Sequence, residues 1–597
     1  MSRETADVAG QPPAVTEEGR LEAEAAFLAL DRLIHARIGQ VTGGLSPLAL
    51  QAAWRDWAMH LAISPGKQME LGWKAARKWQ RLWSAMACEA RGEHGACIEP
   101  LPQDRRFAAP EWQRQPFRLW SQAFLLTQQW WHNATTGIHG VEDRHEKMVE
   151  FYGRQLLDMV SPANFPATNP EVIDQTLRQG GMNLWRGAGF WWQDALATLQ
   201  AGAGVPGDDP APARFRPGRD VAVTPGRVVF RNRLIELIQY DPVGDAVHPL
   251  PLLIVPAWIM KYYILDLRPE NSLIRWLVGQ GFTVFCISWK NPDAGDRDLG
   301  FEDYRRLGVM AAMEEVAGIS GAPQMHALGY CLGGTLLSVA AAAMARDGDR
   351  RLASLTLLAA QVDFTEAGEL SLFTTEAQLA LLEDMMWEEG YLDKSAMAGT
   401  FAMLKSQDLI WSRMVREYLM GEREAASELA AWSRDATRMP YRMHAEYLRR
   451  LYVQGDLAEG RMDAGGRRVY LQDITVPTFA VAAEHDHIAP WQSVFKLAGL
   501  LSGPVTLALV SGGHNTGIVA PPGSARARWR QRLQAPQTPL AAPEDWIATT
   551  PATPGSWWLP WADWLRQTGG AATVAPPPMG HAGRTLPKAP GRYVLRG

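Results

Sequence analysis

Eight short apolar runs separated by helical stretches predict an α/β protein with a mainly parallel sheet covered on both faces. A glycine-flanked cysteine at a strand-to-helix junction narrows that class, and a tryptophan-rich helical region precedes it. The bulk properties agree. Of 597 residues, 47% are hydrophobic and 21% charged, a globular balance with room for several domains. A net charge of −5 argues against an electrostatic nucleic-acid binder. Four cysteines exclude a disulfide scaffold and fit a reducing cytoplasm. No apolar run approaches the roughly 18 residues a membrane span needs. The polar, acidic start lacks the basic-then-apolar order of a secretory signal.

Taken in order, residues 1–20 read as a disordered tail and 21–210 as a helical N-terminal domain. Trp54, Trp57 and Leu61 share one helix face, as do Trp79 and Trp83. Asn169-Pro170-Glu171 has the form of an N-cap with proline in the first turn. Of the 25 tryptophans, 12 lie before residue 193, a concentration that suits either core packing or contact with an apolar surface. The Gly/Pro/Asp segment from Ala201 to Pro210 is the best linker candidate. Residues 211–570 read as the catalytic α/β domain. Strands are expected at Arg227–Phe230, Leu234–Tyr240, Leu252–Val255, Thr283–Ile287, Met325–Leu328, Ser354–Leu358, Thr478–Ala482 and Val505–Leu509. Helices are expected at Ser272–Gln280 and Tyr304–Ala317. From about 365 to 460 the alternation stops, and a Met/Trp/Leu-rich helical insert suggests a cap between two strands. Arg526–Arg532 is read as a solvated helix face, and 571–597 as an extended C-terminal tail.

Gly329-Tyr330-Cys331-Leu332-Gly333 is the G-x-C-x-G form of the nucleophile elbow, following a strand and opening the helix that begins near Leu332. The bend is too tight for side chains two residues either side of the nucleophile. It sets the thiol at a helix N-terminus, where the dipole favours a thiolate. The elbow makes the fold an α/β-hydrolase fold, in which the order nucleophile, acid, histidine is expected. Asp486 and His514 follow successive strands and fit that order, 28 residues apart. Gly512-Gly513 would let the His514 loop come close to Cys331, while His485 and His487 are rivals for the base. Oxyanion donors are expected from the Leu332 N–H and from Trp258 or Ile259, since Pro256 has no N–H. A cysteine suits acyl transfer from a thioester such as an acyl-CoA, because thioester-to-thioester exchange keeps the acyl group activated. Cys88, His94 and Cys97 lie close together but read as solvent- or core-facing, and no metal or cofactor site is expected.

The sequence resembles the polyhydroxyalkanoate synthases, in particular the class I type that works without a partner subunit. The resemblance rests on Ser161-Pro162-Ala163-Asn164-Phe165, Gly218–Tyr240, Lys261–Leu267, Ser288–Asp293, Gly329–Leu337, Asp408–Trp411, Trp432 with Asp435-Ala436-Thr437, Asp486–Trp491 and Gly513-His514. It covers about residues 50–565. It implies that Cys331 carries the growing acyl chain, that His514 activates it, and that Asp486 is associated with activating the 3-hydroxyl for elongation. It further implies that the insert is a mobile cap and that the N-terminal part serves dimerisation and granule attachment. The expected substrate is a 3-hydroxyacyl-CoA. The expected partners are a second copy of the chain, the polyester granule surface and granule-coat proteins, with no nucleic acid and no membrane span. The expected location is the cytoplasm, on polymer granules. Many relatives carry Pro-Pro-x-Ile-Asn-Lys where this chain has Pro256-Ala257-Trp258-Ile259-Met260-Lys261, and His485 stands where Glu is common. Two other readings remain: a Cys-dependent thioesterase of the same fold, and a granule-associated scaffold using the Trp-rich region.

Overall fold

Strands rich in Val, Ile and Leu with both faces apolar must be covered on both sides, and the computed structural model of the chain does this. It describes residues 17–91, 97–101, 104–202, 215–423, 427–570, 572–583 and 587–596. The central sheet has ten strands: β1 (Gly226–Arg231), β2 (Ile235–Tyr240), β3 (Leu252–Val255), β4 (Val284–Trp289), β5 (Met325–Tyr330), β6 (Leu352–Leu358), β7 (Thr478–Ala483), β8 (Val505–Val510), β9 (Arg528–Gln534) and β10 (Thr553–Pro554). Their order is β1-β2-β4-β3-β5-β6-β7-β8-β9-β10. From β4 to β8 every pairing is parallel, and both flanks are antiparallel. All eight expected strands are present. β9 is a correction: the Arg526–Arg532 stretch, read as a helix face, is a strand paired with β8. Three arginines alternating with Trp529, Gln531 and Leu533 make a charged strand near the sheet edge, a composition that discourages pairing with other chains.

The N-terminal region is helical: α1 (Glu17–Val41), α2 (Pro47–Ala62), α3 (Pro65–Ala90), α4 (Phe117–Thr135), α5 (Asp143–Met159), α6 (Pro170–Arg178) and α7 (Met182–Gly202). α1 begins inside the segment expected as a tail, and the rest of that tail, with most of the expected linker, lies outside the described residues. The Asn169 side chain accepts from the N–H groups of Glu171 and Val172, which is the cap the sequence implied. In the catalytic region α8 (Leu273–Gly279), α9 (Ala311–Ser320) and α10 (Leu332–Asp347) cover the sheet. The helix expected at Tyr304–Ala317 opens instead with wide, π-type turns over Tyr304–Met310 before α9.

The insert is helical, as expected, and includes α11 (Glu376–Glu389), α12 (Lys394–Leu404), α13 (Glu428–Arg434) and α14 (Tyr441–Tyr447). It shares a hydrophobic core with the N-terminal helices: Ala53, Met148, Val149 and Phe151 pack with Leu372, Phe373 and Leu404. Polar contacts fix the same seam. Arg144 donates to the Ser371 carbonyl at 2.7 Å and His35 meets Asp384 at 2.8 Å. The Gln378 side chain accepts from Ser46 N–H at 2.8 Å and donates to the Gly44 carbonyl. The helical region is thus clasped to the insert across hundreds of residues of sequence.

The segment expected as an extended tail packs back on the domain. Pro587 accepts from Val228 N–H at 2.9 Å, and Ala589 N–H donates to Gly226 at 2.9 Å. The buried Glu236 carboxylate accepts from the N–H groups of Arg592 and Tyr593 at 2.8 and 2.9 Å. Lys261, 7% exposed, donates to the carbonyls of Val594 and Arg596 at 2.7 and 2.8 Å and pairs with Asp435 at 2.8 Å. Replacing Lys261 by Met leaves these acceptors without their cation. The expected result is a loss of about 1–3 kcal/mol of stability, read in denaturant melts, together with faster proteolysis of the last ten residues.

Candidate active site

The elbow exists because three glycines let three backbones meet. A Cβ on Gly333 would strike the carbonyl oxygens of Val255 and Pro256, one on Gly329 would strike Gly334, and one on Gly334 would strike Ala360. Between them Cys331 adopts φ 52° and ψ −126°, a conformation a non-glycine residue holds only when its surroundings impose it, at about 1–3 kcal/mol. Its N–H is anchored to the Leu358 carbonyl at 2.8 Å, and α10 starts at the next residue. The thiol therefore stands at the head of a buried helix, 8% exposed.

Two loops at the carboxyl ends of β7 and β8 bring the acid and the histidine to it. One Asp486 oxygen accepts from His514 Nδ1 at 2.7 Å, and the other accepts from the N–H groups of Ile488 and Ala489 at 2.8 and 2.9 Å. The carboxylate is thus both a turn cap and the partner of the imidazole. The Cys331 sulfur lies near enough to the His514 ring to act on it electrostatically and help hold its proton. Tyr330, beside Cys331, donates to the Asn515 side chain at 2.5 Å and so ties the elbow to the histidine loop. Gly512 has φ 106° and needs to be glycine; at Gly513 a Cβ would meet only ordinary contacts, so the pair of glycines expected to allow the approach reduces to one. Of the rival histidines, His485 is exposed, and neither it nor His487 takes the Asp486 bond. Burial pushes the His487 imidazole down to about 4.

The loop after β3 is fixed by residues whose sequence motifs had no assigned role. Trp289 Nε1 donates to the Pro256 carbonyl at 2.8 Å. The Thr437 hydroxyl and N–H donate to Trp258 and Ile259 at 2.6 and 3.1 Å, and Trp432 Nε1 to Lys261 at 2.7 Å. Asp435 takes both Lys261 and the Tyr263 hydroxyl, each at 2.8 Å. Four carbonyls held in this way set the direction of the intervening N–H groups. Ile259 lines the chamber over Cys331 together with Leu332. Trp258 does not: its ring is 1% exposed and packs edge-on against Phe301 and Tyr447.

That chamber lies under the insert and is lined mainly by apolar side chains from the insert, with Gly43-Gly44-Leu45 closing one side. His444, Tyr447 and Tyr452 line it too, and sequence reasoning missed them. The signal was a lone histidine among aromatics in the insert. Among the described residues no cluster of metal-ligating side chains occurs; Cys97 lies 3.0 Å from the Gln122 amide, and His94 lies outside the described residues.

Burial opposes charge on His514, yet the Asp486 carboxylate and the Cys331 sulfur outweigh it and push the imidazole up to about 10. An unfolded histidine titrates near 6.5, so the folded chain holds this proton more tightly. The resulting stabilisation is complete below about pH 6.5 and lost as pH rises through about 10. The stability gap between wild type and His514→Gln, measured in denaturant melts, should therefore be widest near pH 6 and narrow toward pH 10.

A family model described as the N-terminus of poly-beta-hydroxybutyrate polymerase (PhaC) matches residues 103–277, and a second N-terminal model of that polymerase matches 25–67. An alpha/beta hydrolase fold model matches 251–521. A poly(3-hydroxyalkanoate) polymerase of Methylorubrum extorquens is 43% identical over 535 residues, 89% of this chain and 87% of its own. The corresponding polymerase subunits of Rhizobium etli and Cupriavidus necator are 37% and 36% identical, covering 86% and 89% of this chain and 81% and 89% of theirs. Among the described residues no helix is long and apolar enough to cross a membrane.

Proposed function

Because the chain belongs to the poly(3-hydroxyalkanoate) polymerase family, we propose that its elbow, histidine and carboxylate polymerise 3-hydroxyacyl units through an acyl-cysteine. The enzyme is an acyltransferase of the α/β-hydrolase fold. The observation that carries the mechanism is that Cys331, which lines an apolar chamber, acts on a buried His514 that is hydrogen-bonded to Asp486.

The proton of the Cys331 thiol passes to His514, and the sulfur attacks the thioester carbon of a 3-hydroxyacyl-CoA. The N–H groups of Leu332 and Ile259 hold the oxyanion, with Trp258 packing behind the loop. The carbon–sulfur bond to CoA breaks and the CoA thiolate takes the proton from His514. For elongation, the 3-hydroxyl of the next 3-hydroxyacyl-CoA gives its proton to His514, and its oxygen attacks the acyl-cysteine. The Cys331 sulfur leaves, and the lengthened chain on CoA returns to Cys331 by the first step. Both Asp486 oxygens are already engaged, so the carboxylate acts on the hydroxyl through His514 rather than directly. It fixes the tautomer and stabilises the imidazolium. The apolar chamber disfavours water, and so elongation outruns hydrolysis to the free hydroxy acid.

The enzyme works in the cytoplasm as a homodimer at the polyester granule surface, alongside granule-coat proteins. Support comes from the six exposed tryptophans, all before residue 193: Trp73, Trp79 and Trp83 on α3, and Trp185, Trp191 and Trp192 on α7, each 54–77% exposed. With Met69 on α3 and Leu199 on α7 they form apolar faces that suit a water-insoluble polyester.

Cys331→Ala should abolish CoA release from 3-hydroxybutyryl-CoA, and Asp486→Asn should lower the rate by about 10²–10⁴-fold, both followed by thiol detection and polymer turbidity. A thioesterase would release free hydroxy acid with no polymer. Replacing Trp73, Trp79 and Trp83 together by Ser should cut co-sedimentation with polymer granules at least several-fold while the purified enzyme still turns over substrate. Sedimentation velocity should give a species of twice the chain mass.

A further inference from the structure

The chamber contains several polar side chains, and nearly all are committed within the protein. The Thr335 hydroxyl donates to the Gln361 carbonyl at 2.7 Å, and Gln361 Nε2 to Ser493 at 3.0 Å. Gln378 serves the Gly44–Ser46 backbone at both ends of its amide. The Thr400 hydroxyl bonds back to Ala396 at 3.1 Å. The exception is His444. It is 3% exposed, lines the chamber that contains Cys331, and its Nδ1 is buried with no hydrogen-bond partner. Its ring stands 5.9 Å from that of Tyr447, whose hydroxyl donates to the Tyr452 hydroxyl at 3.2 Å. Burial alone pushes the His444 imidazole down to about 3, so it stays neutral and presents one donor and one acceptor.

Leaving a buried polar atom without a partner destabilises the fold. A folded enzyme tolerates that cost where a ligand supplies the missing partner. Resting on the acyl-transfer reading above, we propose that His444 is a specificity-determining residue that hydrogen-bonds the 3-oxygen of the hydroxyacyl unit, so that the chamber prefers hydroxyacyl over plain acyl thioesters. A plain acyl chain fills the same apolar space but leaves the imidazole unpaired, and a site built around a polar group rejects the analogue that lacks its partner.

The test is single-turnover CoA release by the full-length protein from 3-hydroxybutyryl-CoA and from butyryl-CoA, since acylation of Cys331 requires no hydroxyl. Wild type should favour the hydroxyacyl substrate. His444→Phe, which keeps bulk and removes both ring nitrogens, should reduce that ratio about 10-fold or more, and His444→Gln should restore part of it. His444→Leu is read in the same way if the Phe variant does not fold. A merely structural histidine would lower both rates together and leave the ratio unchanged, which would overturn the proposal. Equal rates for the two substrates in wild type would overturn it while leaving acyl transfer standing. No CoA release from either substrate by wild type would overturn the acyl-transfer reading and this inference together.

Discussion

The electrostatic interaction between the Cys331 sulfur and the His514 imidazole is what the rest of the architecture serves. It joins a residue at the end of β5 to one beyond β8, 183 positions later by their numbers. Neither end is comfortable alone. The cysteine is held at a positive φ, and the imidazole is buried against its tendency to stay neutral. Each is made tolerable by what surrounds it. Glycines at 329, 333 and 334 admit the bend, the Leu358 carbonyl pins the cysteine N–H, and Asp486 compensates the imidazolium. Strain at Cys331 and charge at His514 are thus stored by packing several shells deep.

The same logic extends to the loop after β3. Its carbonyls are gripped by Trp289, Trp432 and Thr437, two of which belong to the insert rather than the sheet. Asp435, also in the insert, secures Lys261, and Lys261 secures the C-terminal segment. The insert is in turn fastened to the N-terminal helices by a common core and by Arg144 and Gln378. Cap, tail and helical region therefore converge on the geometry of a few backbone N–H groups near Cys331. A movement of the insert would be felt at the loop it grips.

Much of this was legible in the sequence where local chemistry dictates local shape. The β3 segment is a continuous apolar run, and β5 and β8 are mostly apolar, because both faces are buried, and they were recognisable for that reason. The elbow was legible because its glycines are sterically obligatory. β9 was misread because alternating arginines suit a solvated helix as well as a charged strand near the sheet edge. Trp258 and Ile259 were inseparable in sequence because the choice depends on which way the chain turns, and that loop's carbonyls are held by Thr437, far along the chain. His444 stood in the sequence only as a lone histidine among aromatics, since its meaning lies in a missing partner that three dimensions reveal. The clasp between His35 and Asp384 was hidden by its sequence separation.

The most direct test is to quench the enzyme in acid within its first turnover on 3-hydroxybutyryl-CoA, digest it, and locate the acyl group by peptide mass. A thioester-linked hydroxybutyryl group on the peptide containing Cys331, absent when His514 is replaced by Ala, is the predicted result. An acyl group on Cys88, Cys97 or Cys286 instead, or CoA release with no acylated peptide at any time point, would contradict the account.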